Sequence, residues 1–276
     1  MNEISLMGIA MSFLSRYRDG EEEAVWDDMV SLGSSIQNDA YREDAWSVVR
    51  ETMLRVKHNV EILHQQLLLL DYRFVTPAGA YVPPSADVRT KIQQLKSRVG
   101  SLPMSVEAWF EIVGKVDFCG SHPDLSTYIP TEQTRAWYPD YNPHPYADVF
   151  PYYSDPLYFM DVEEALVLTH DFDSDTGTCA LQILDWFHKA NVSGAVYEIS
   201  LPNSAVDVLV QYEPHQTTFV DYLRTSFTWG GFPGFELHSA ERFEAWRQRW
   251  EAQPVYAGKS IPQKTLQRLS SSLLRI

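Results

Sequence analysis

Cysteine is scarce in this chain. Cys119 and Cys179 are the only two in 276 residues, so no disulfide framework supports the fold and a packed core must do so. No apolar run is longer than the four leucines at 67–70, far short of the ~20 residues a membrane-spanning helix needs. Bases are also few: 22 Lys and Arg face 37 Asp and Glu, for a formal charge of −15. That charge speaks against a nucleic acid or an anionic membrane as partner, because phosphates would repel it, and makes a basic protein the natural complement. Met1, Asn2, Glu3 and Ile4 put no basic group ahead of the first short apolar stretch, so a cytoplasmic protein is expected. What is abundant is apolar material, 45% hydrophobic and 13% aromatic, enough for one large core or two small ones.

The strongest periodic signal lies at 46–70. Trp46, Val49, Met53, Val56, Val60, Leu63, Leu67 and Leu70 recur at spacings of three and four, which puts them on one face of a helix about 37 Å long. Such a stripe must be covered. An antiparallel hairpin with a preceding helix at about 21–36, carrying Trp26, Val30 and Ile36, is expected from the short link at 37–39; dimerisation through the stripe is the alternative, so a monomer is expected over a homodimer. The segments at 72–75 and 81–84, separated by a Pro/Gly turn, read as a short hairpin or an extended linker. Ser85 is placed to cap a helix carrying Val88, Ile92, Leu95 and Val99 up to Gly100. Leu102-Pro103 then forces an extended step before Ser105, a plausible cap for a helix with Trp109, Phe110 and Val113 that stops at Gly114, and a strand at 115–119 follows.

Residues 120–160 differ in kind. Seven prolines between Pro123 and Pro156, and nine aromatics within 137–159, exclude a regular helix or a central strand and predict a long loop. Beyond it, strands are expected at 157–160, 179–186, 197–201 and 206–210. Helices are expected at 161–168, from a cap at Thr217 or Thr218 through Phe227, and at about 239–252 and 262–273. Trp229, Gly230, Gly231, Phe232, Pro233 and Gly234 read as the structural turn that ends the Phe227 helix, or as a corner where a partner approaches the backbone.

The helix with Ile92 and Leu95, the Leu102-Pro103 step, Phe110 on the next helix, the stop at Gly114 and the strand after it together resemble the SUKH superfamily, bacterial toxin-immunity proteins and fungal cell-wall regulators. The stretches 188–194 and 219–234 also look like those of large bacterial proteins related to that group. The resemblance implies an α+β fold, an antiparallel or mixed sheet with helices on one side. To this the chain adds a helical N-terminal extension at 1–71, ahead of a SUKH-like domain at 72–276 that carries the 120–160 loop. It also implies a cytoplasmic immunity or antitoxin-like role, neutralising a basic toxin domain by occlusion without a cofactor. A constitutive interaction scaffold of the same superfamily and an uncharacterised hydrolase are the alternatives.

Twelve carboxylates at 117–175 face a single base, Arg135, and coincide with the aromatic loop. Tyrosine offers contact area at low entropy cost and carboxylates pair with Lys or Arg, so Asp140, Tyr141, Tyr146, Asp148, Tyr152, Tyr153 and Asp155 are the candidate partner-binding residues. Rings packed on the core, with acids for solubility, are the other reading. Alternating carboxylates at Asp171, Asp173 and Asp175 miss the calcium-loop pattern, because Thr176 and Gln182 stand where Gly and Glu are needed, and a solvated turn is expected. His122, His144 and His170 have no metal-ligand spacing, and neither Cys119 nor Ser193 lies in a nucleophile motif, so no metal, no cofactor and no enzymatic activity are expected. Asn191-Val192-Ser193 matches a glycosylation sequon, which a cytoplasmic protein would not use.

Overall fold

In the computed structural model the described residues are 12–122, 125, 154–170, 177–184, 189, 196–239 and 261–276. Helix α1 (Phe13–Arg18) is capped by Ser12, whose hydroxyl accepts from the Ser15 N–H at 3.1 Å. Helix α2 (Glu22–Ser31) and a tight turn at Gly33–Gln37 lead into α3, Asp39–Leu69, 31 residues and about 46 Å long. The stripe behaves as its periodicity requires: Val49, Met53, Val56, Val60, Leu63 and Leu67 are fully buried, and Trp46 and Leu70 pack on the edge of the same cluster.

That stripe is covered from within the chain. Tyr17, Val25, Trp26, Met29 and Ile36 lie against it in one continuous core. The Trp26 indole N–H donates to Thr52 at 3.1 Å, and Asn59, buried in mid-helix, accepts from the Leu274 N–H at 2.7 Å and donates to the Leu274 carbonyl at 2.9 Å. Residues 12–71 therefore pack as part of the same core as the rest of the described chain.

The architecture is α+β. Strands β1 (Arg73–Phe74) and β2 (Tyr81–Val82) do not pair with each other as a hairpin would. Instead β1 pairs with β4 (Gly120–Ser121), and β2 pairs with β3 (Lys115–Asp117), which pairs in turn with β5 (Tyr158–Phe159). A third antiparallel pair joins β6 (Cys179–Ile183) to β7 (Tyr197–Leu201). Where one sheet was expected, the described strands form three small antiparallel ones. The expected strand at 206–210 is reduced to a single bridge, Leu209 to Thr218, with another just beyond it from Gln211 to Glu198.

Helix α4 (Val88–Val99) begins after Asp87, two residues beyond the expected cap; Ser85 donates instead to Glu163 at 2.8 Å. Pro103 rather than Ser105 opens α5 (Met104–Ala108), because Ser105 turns its hydroxyl to Asp207, 2.7 Å away. The turn at Trp109–Val113 widens so that the Gly114 N–H reaches the Trp109 carbonyl at 3.1 Å. Gly114 sits at φ 92°, and a Cβ there would meet the Val82 carbonyl at 2.3 Å, so only glycine lets β2 lie alongside.

Helix α6 (Val162–Leu168) is capped by Asp161, which accepts from the Glu164 N–H at 2.8 Å. Helix α7 (Phe219–Thr228) starts after Thr218, but the side chain that caps it is Asp207, accepting from the Val220 N–H at 3.1 Å. Gly230 and Gly231, both at positive φ, turn the chain back after α7; the Gly231 carbonyl accepts from Leu157 N–H at 2.8 Å and Phe232 is fully buried, which makes this stretch a structural turn. Helices α8 (Gly234–Ser239) and α9 (Gln263–Ser270) complete the described elements, and the expected helix at 239–252 lies almost wholly outside the described residues. No helix among the described residues is long and apolar enough to cross a membrane.

Candidate functional site

Asp140, Tyr141, Tyr146, Asp148, Tyr152 and Tyr153 lie outside the described residues, as do His144, Ser193 and the run at 171–176. Asp155 is described, and it corrects the reading of it as a partner-facing acid. It is 2% exposed, with φ at +48°, and its Oδ1 accepts from the Lys189 ammonium at 2.6 Å while Oδ2 accepts from the Tyr197 hydroxyl at 3.4 Å. A carboxylate buried against a cation is satisfied within the fold and is not available to a partner.

The other described acids of the 117–175 stretch are also engaged within the chain. Asp117 accepts from the Cys119 N–H, Asp161 caps α6, Glu163 pairs with Lys91 at 2.6 Å, and Glu164 pairs with Lys115 at 2.8 Å and accepts from Tyr158. The local field inferred from twelve carboxylates therefore rests on the seven that lie outside the described residues.

Cys119 is the opposite of an activated nucleophile. Burial, reinforced by the neighbouring Asp117 carboxylate, pushes its thiol well up from the ordinary range. Among the described residues no group of three or more His, Cys, Asp or Glu is arranged to hold a metal ion, and His122 and His170 belong to no such group.

Two polar features emerge that no local pattern announced. The first is internal. Lys189, fully buried, donates to Asp155 and, at 3.2 Å, to the Tyr222 hydroxyl, with its ammonium 5.4 Å from the Tyr197 ring centroid and 5.8 Å from that of Tyr222. Burial, and then the charges of Asp155 and Glu213, hold the Tyr222 proton on well above its usual range. Beside this centre the His215 imidazole bonds through Nδ1 to the fully buried Glu213 and has Nε2 3.8 Å from Glu236. Burial pushes the imidazole toward neutrality, but contact with Glu213 and the charges of Glu213, Glu236 and Asp155 outweigh it and raise its pKa. The arrangement binds together the exit of the 120–155 segment, Lys189, β7 and α7.

The second feature is a surface groove of two joined hollows. One, of about 860 Å³, lies between the start of α2, the end of α7 and residues 270–276, with Phe227, Leu273 and Ile276 beneath and Ala24, Leu274, Glu23 and Asp27 at the margin. The other, of about 500 Å³, is polar and shares Glu23, Asp27 and Arg224 with the first, adding Gln216, Thr217, Asp221, Thr225 and His215. Acids nearby are neutralised inside the chain: Glu21 and Asp28 by Arg16, Glu22 by Arg55, Asp221 by Arg224. Glu23 and Asp27, exposed and one helical turn apart, make no ion pair or hydrogen bond among the described residues. Like charges at that spacing repel by a few tenths of a kcal/mol.

Neither a protein-family model, nor a curated protein, nor a solved structure matches this chain. Its function must therefore be argued from these features.

Sequence reasoning missed Lys189 and the groove. The available signal for Lys189 is that it is the lone base between Arg135 and Arg224, in a stretch rich in acids. The groove had none, since its walls come from segments about 200 residues apart.

Proposed function

We propose that this chain is a non-catalytic binding protein of the immunity or antitoxin type, acting in the cytoplasm, which neutralises a basic protein domain by covering it. The observation that carries this reading is the groove, where Glu23 and Asp27 stand unpaired beside Leu273 and Leu274 while their acidic neighbours are neutralised. A cationic partner supplies the missing countercharge, and the net charge of −15 steers its approach. The toxin assignment draws on the SUKH resemblance at 88–117, carried by Ile92 and Leu95, the Leu102-Pro103 step, Phe110 and the stop at Gly114.

The test begins from the reading frame next to this one in its source genome. A basic toxin domain encoded there should form a complex with the purified chain at 0.1 M salt, lose most of its association rate at 1 M as the Debye length falls from about 10 Å to about 3 Å, and lose its toxicity on co-expression. A neighbouring toxin that neither binds nor is neutralised refutes the reading, as does a partner that binds with no salt dependence.

A further inference from the structure

We infer that the groove receives an arginine-bearing segment of the partner, with the guanidinium in the polar hollow between Glu23 and Asp27 and an adjoining apolar side chain against Leu273 and Leu274 in the other hollow. This rests on the binding reading above and names the occupant and the place. The polar hollow is lined by two unpaired carboxylates together with Thr217, Thr225 and Gln216, whose side-chain oxygens accept hydrogen bonds. A guanidinium has five donors in a planar fork that suits several acceptors at once, whereas an ammonium is a point charge with three. The basic groups already lining the hollow do not fill this need: His215 is bonded to Glu213, and Arg224 is engaged elsewhere. Arg224 donates to Asp221 at 2.6 Å, to the Ile276 carbonyl at 2.9 Å and to the Glu22 carbonyl at 3.4 Å, so it is consumed in tying α7 to α2 and to residue 276.

The adjoining hollow explains why the occupant is a peptide segment and not a free cation. Its lining is mixed, but Ala24, Leu273 and Leu274 still present apolar surface there, Leu274 being 45% exposed, so covering them removes apolar surface from water. Because Glu23 and Asp27 border both hollows, a guanidinium in one and an apolar side chain in the other can belong to one short segment.

The experiment uses the full chain and a labelled peptide of about a dozen residues containing arginine and leucine, followed by fluorescence anisotropy, with a control peptide in which citrulline replaces arginine. The variants are E23Q/D27N in the groove and D39N/E43Q on the exposed start of α3, which makes the same change in net charge at the same helical spacing. The groove variant should bind the arginine peptide about tenfold or more weakly, as expected for losing charge-assisted hydrogen bonds, and D39N/E43Q should change affinity less than twofold. Wild type should prefer the arginine peptide to the citrulline one. Equal losses in both variants, or no preference for arginine, overturn the inference. So does a wild-type dimer that E23Q/D27N dissociates, which would make a second copy the occupant. A cognate basic protein that binds wild type and E23Q/D27N equally well removes the groove assignment and leaves the binding reading standing, whereas the absence of any basic partner removes the reading itself.

Discussion

The Asp155–Lys189 pair offers the sharpest quantitative test of the interior. Both side chains are essentially inaccessible to water and 2.6 Å apart, so solvent screening is small. Breaking such a pair strands a buried charge and costs ~3–5 kcal/mol, whereas replacing both members removes the stranded charge. Lys189→Met keeps most of the side chain's length and leaves the Asp155 carboxylate with only the 3.4 Å hydroxyl of Tyr197. Its cost should lie at the upper end. Asp155→Asn is the suitable reciprocal change, because φ is +48° at this position and Asn tolerates that region. It leaves the ammonium with the Tyr222 hydroxyl and two ring faces, which offset part of the loss by about 0.5–2 kcal/mol. The order of stability is therefore wild type, then the double variant close below it, then Asp155→Asn, then Lys189→Met. Urea unfolding at pH 7, followed by tryptophan fluorescence, measures the cycle. Single variants that each cost under 1 kcal/mol, with additive effects in the double, would show that the pair is not coupled and that the reasoning fails.

The His215 pKa is raised in the fold, so its contribution to stability is fully present below the unfolded value of about 6.5 and is lost as pH rises through the folded one; the stability gap between wild type and His215→Gln should therefore narrow on going from pH 6 to alkaline pH, as read by urea titration. Leu63→Asp places an unpaired charge in the stripe and should cost ~3 kcal/mol or more without altering the oligomeric state, and sedimentation showing a wild-type dimer that becomes a folded monomer in this variant would overturn the intramolecular cover. Cys119 should resist a thiol reagent at pH 8 until the chain unfolds, with half-buried Cys179 reacting first; rapid labelling of Cys119 in the native protein contradicts the burial argument.

The long helix, the Leu102-Pro103 step, the stop at Gly114 and the turn at Gly230-Gly231 were legible in the sequence because each follows from a local rule. A 3.6-residue period, a proline's fixed φ and a glycine's access to positive φ act within a few residues of chain. Strand partners were not legible. Strands β1 and β2 are two residues each, too short to carry an alternation pattern, and their partners are set by which edges the packed helices leave side by side. The cap of α7 passed from Thr218 to Asp207 because a buried carboxylate 13 residues away reaches the Val220 N–H. Asp155 looked like any other acid beside an aromatic, yet Lys189, 34 residues on, draws it inside. The groove shows the same division: composition made a basic partner the natural complement, but the hollow itself exists only where residues 20–27, 224–228 and 270–276 meet. Local sequence determines backbone conformation, because sterics and periodicity are short-ranged, while burial and charge pairing depend on distances through space that only the packed chain sets.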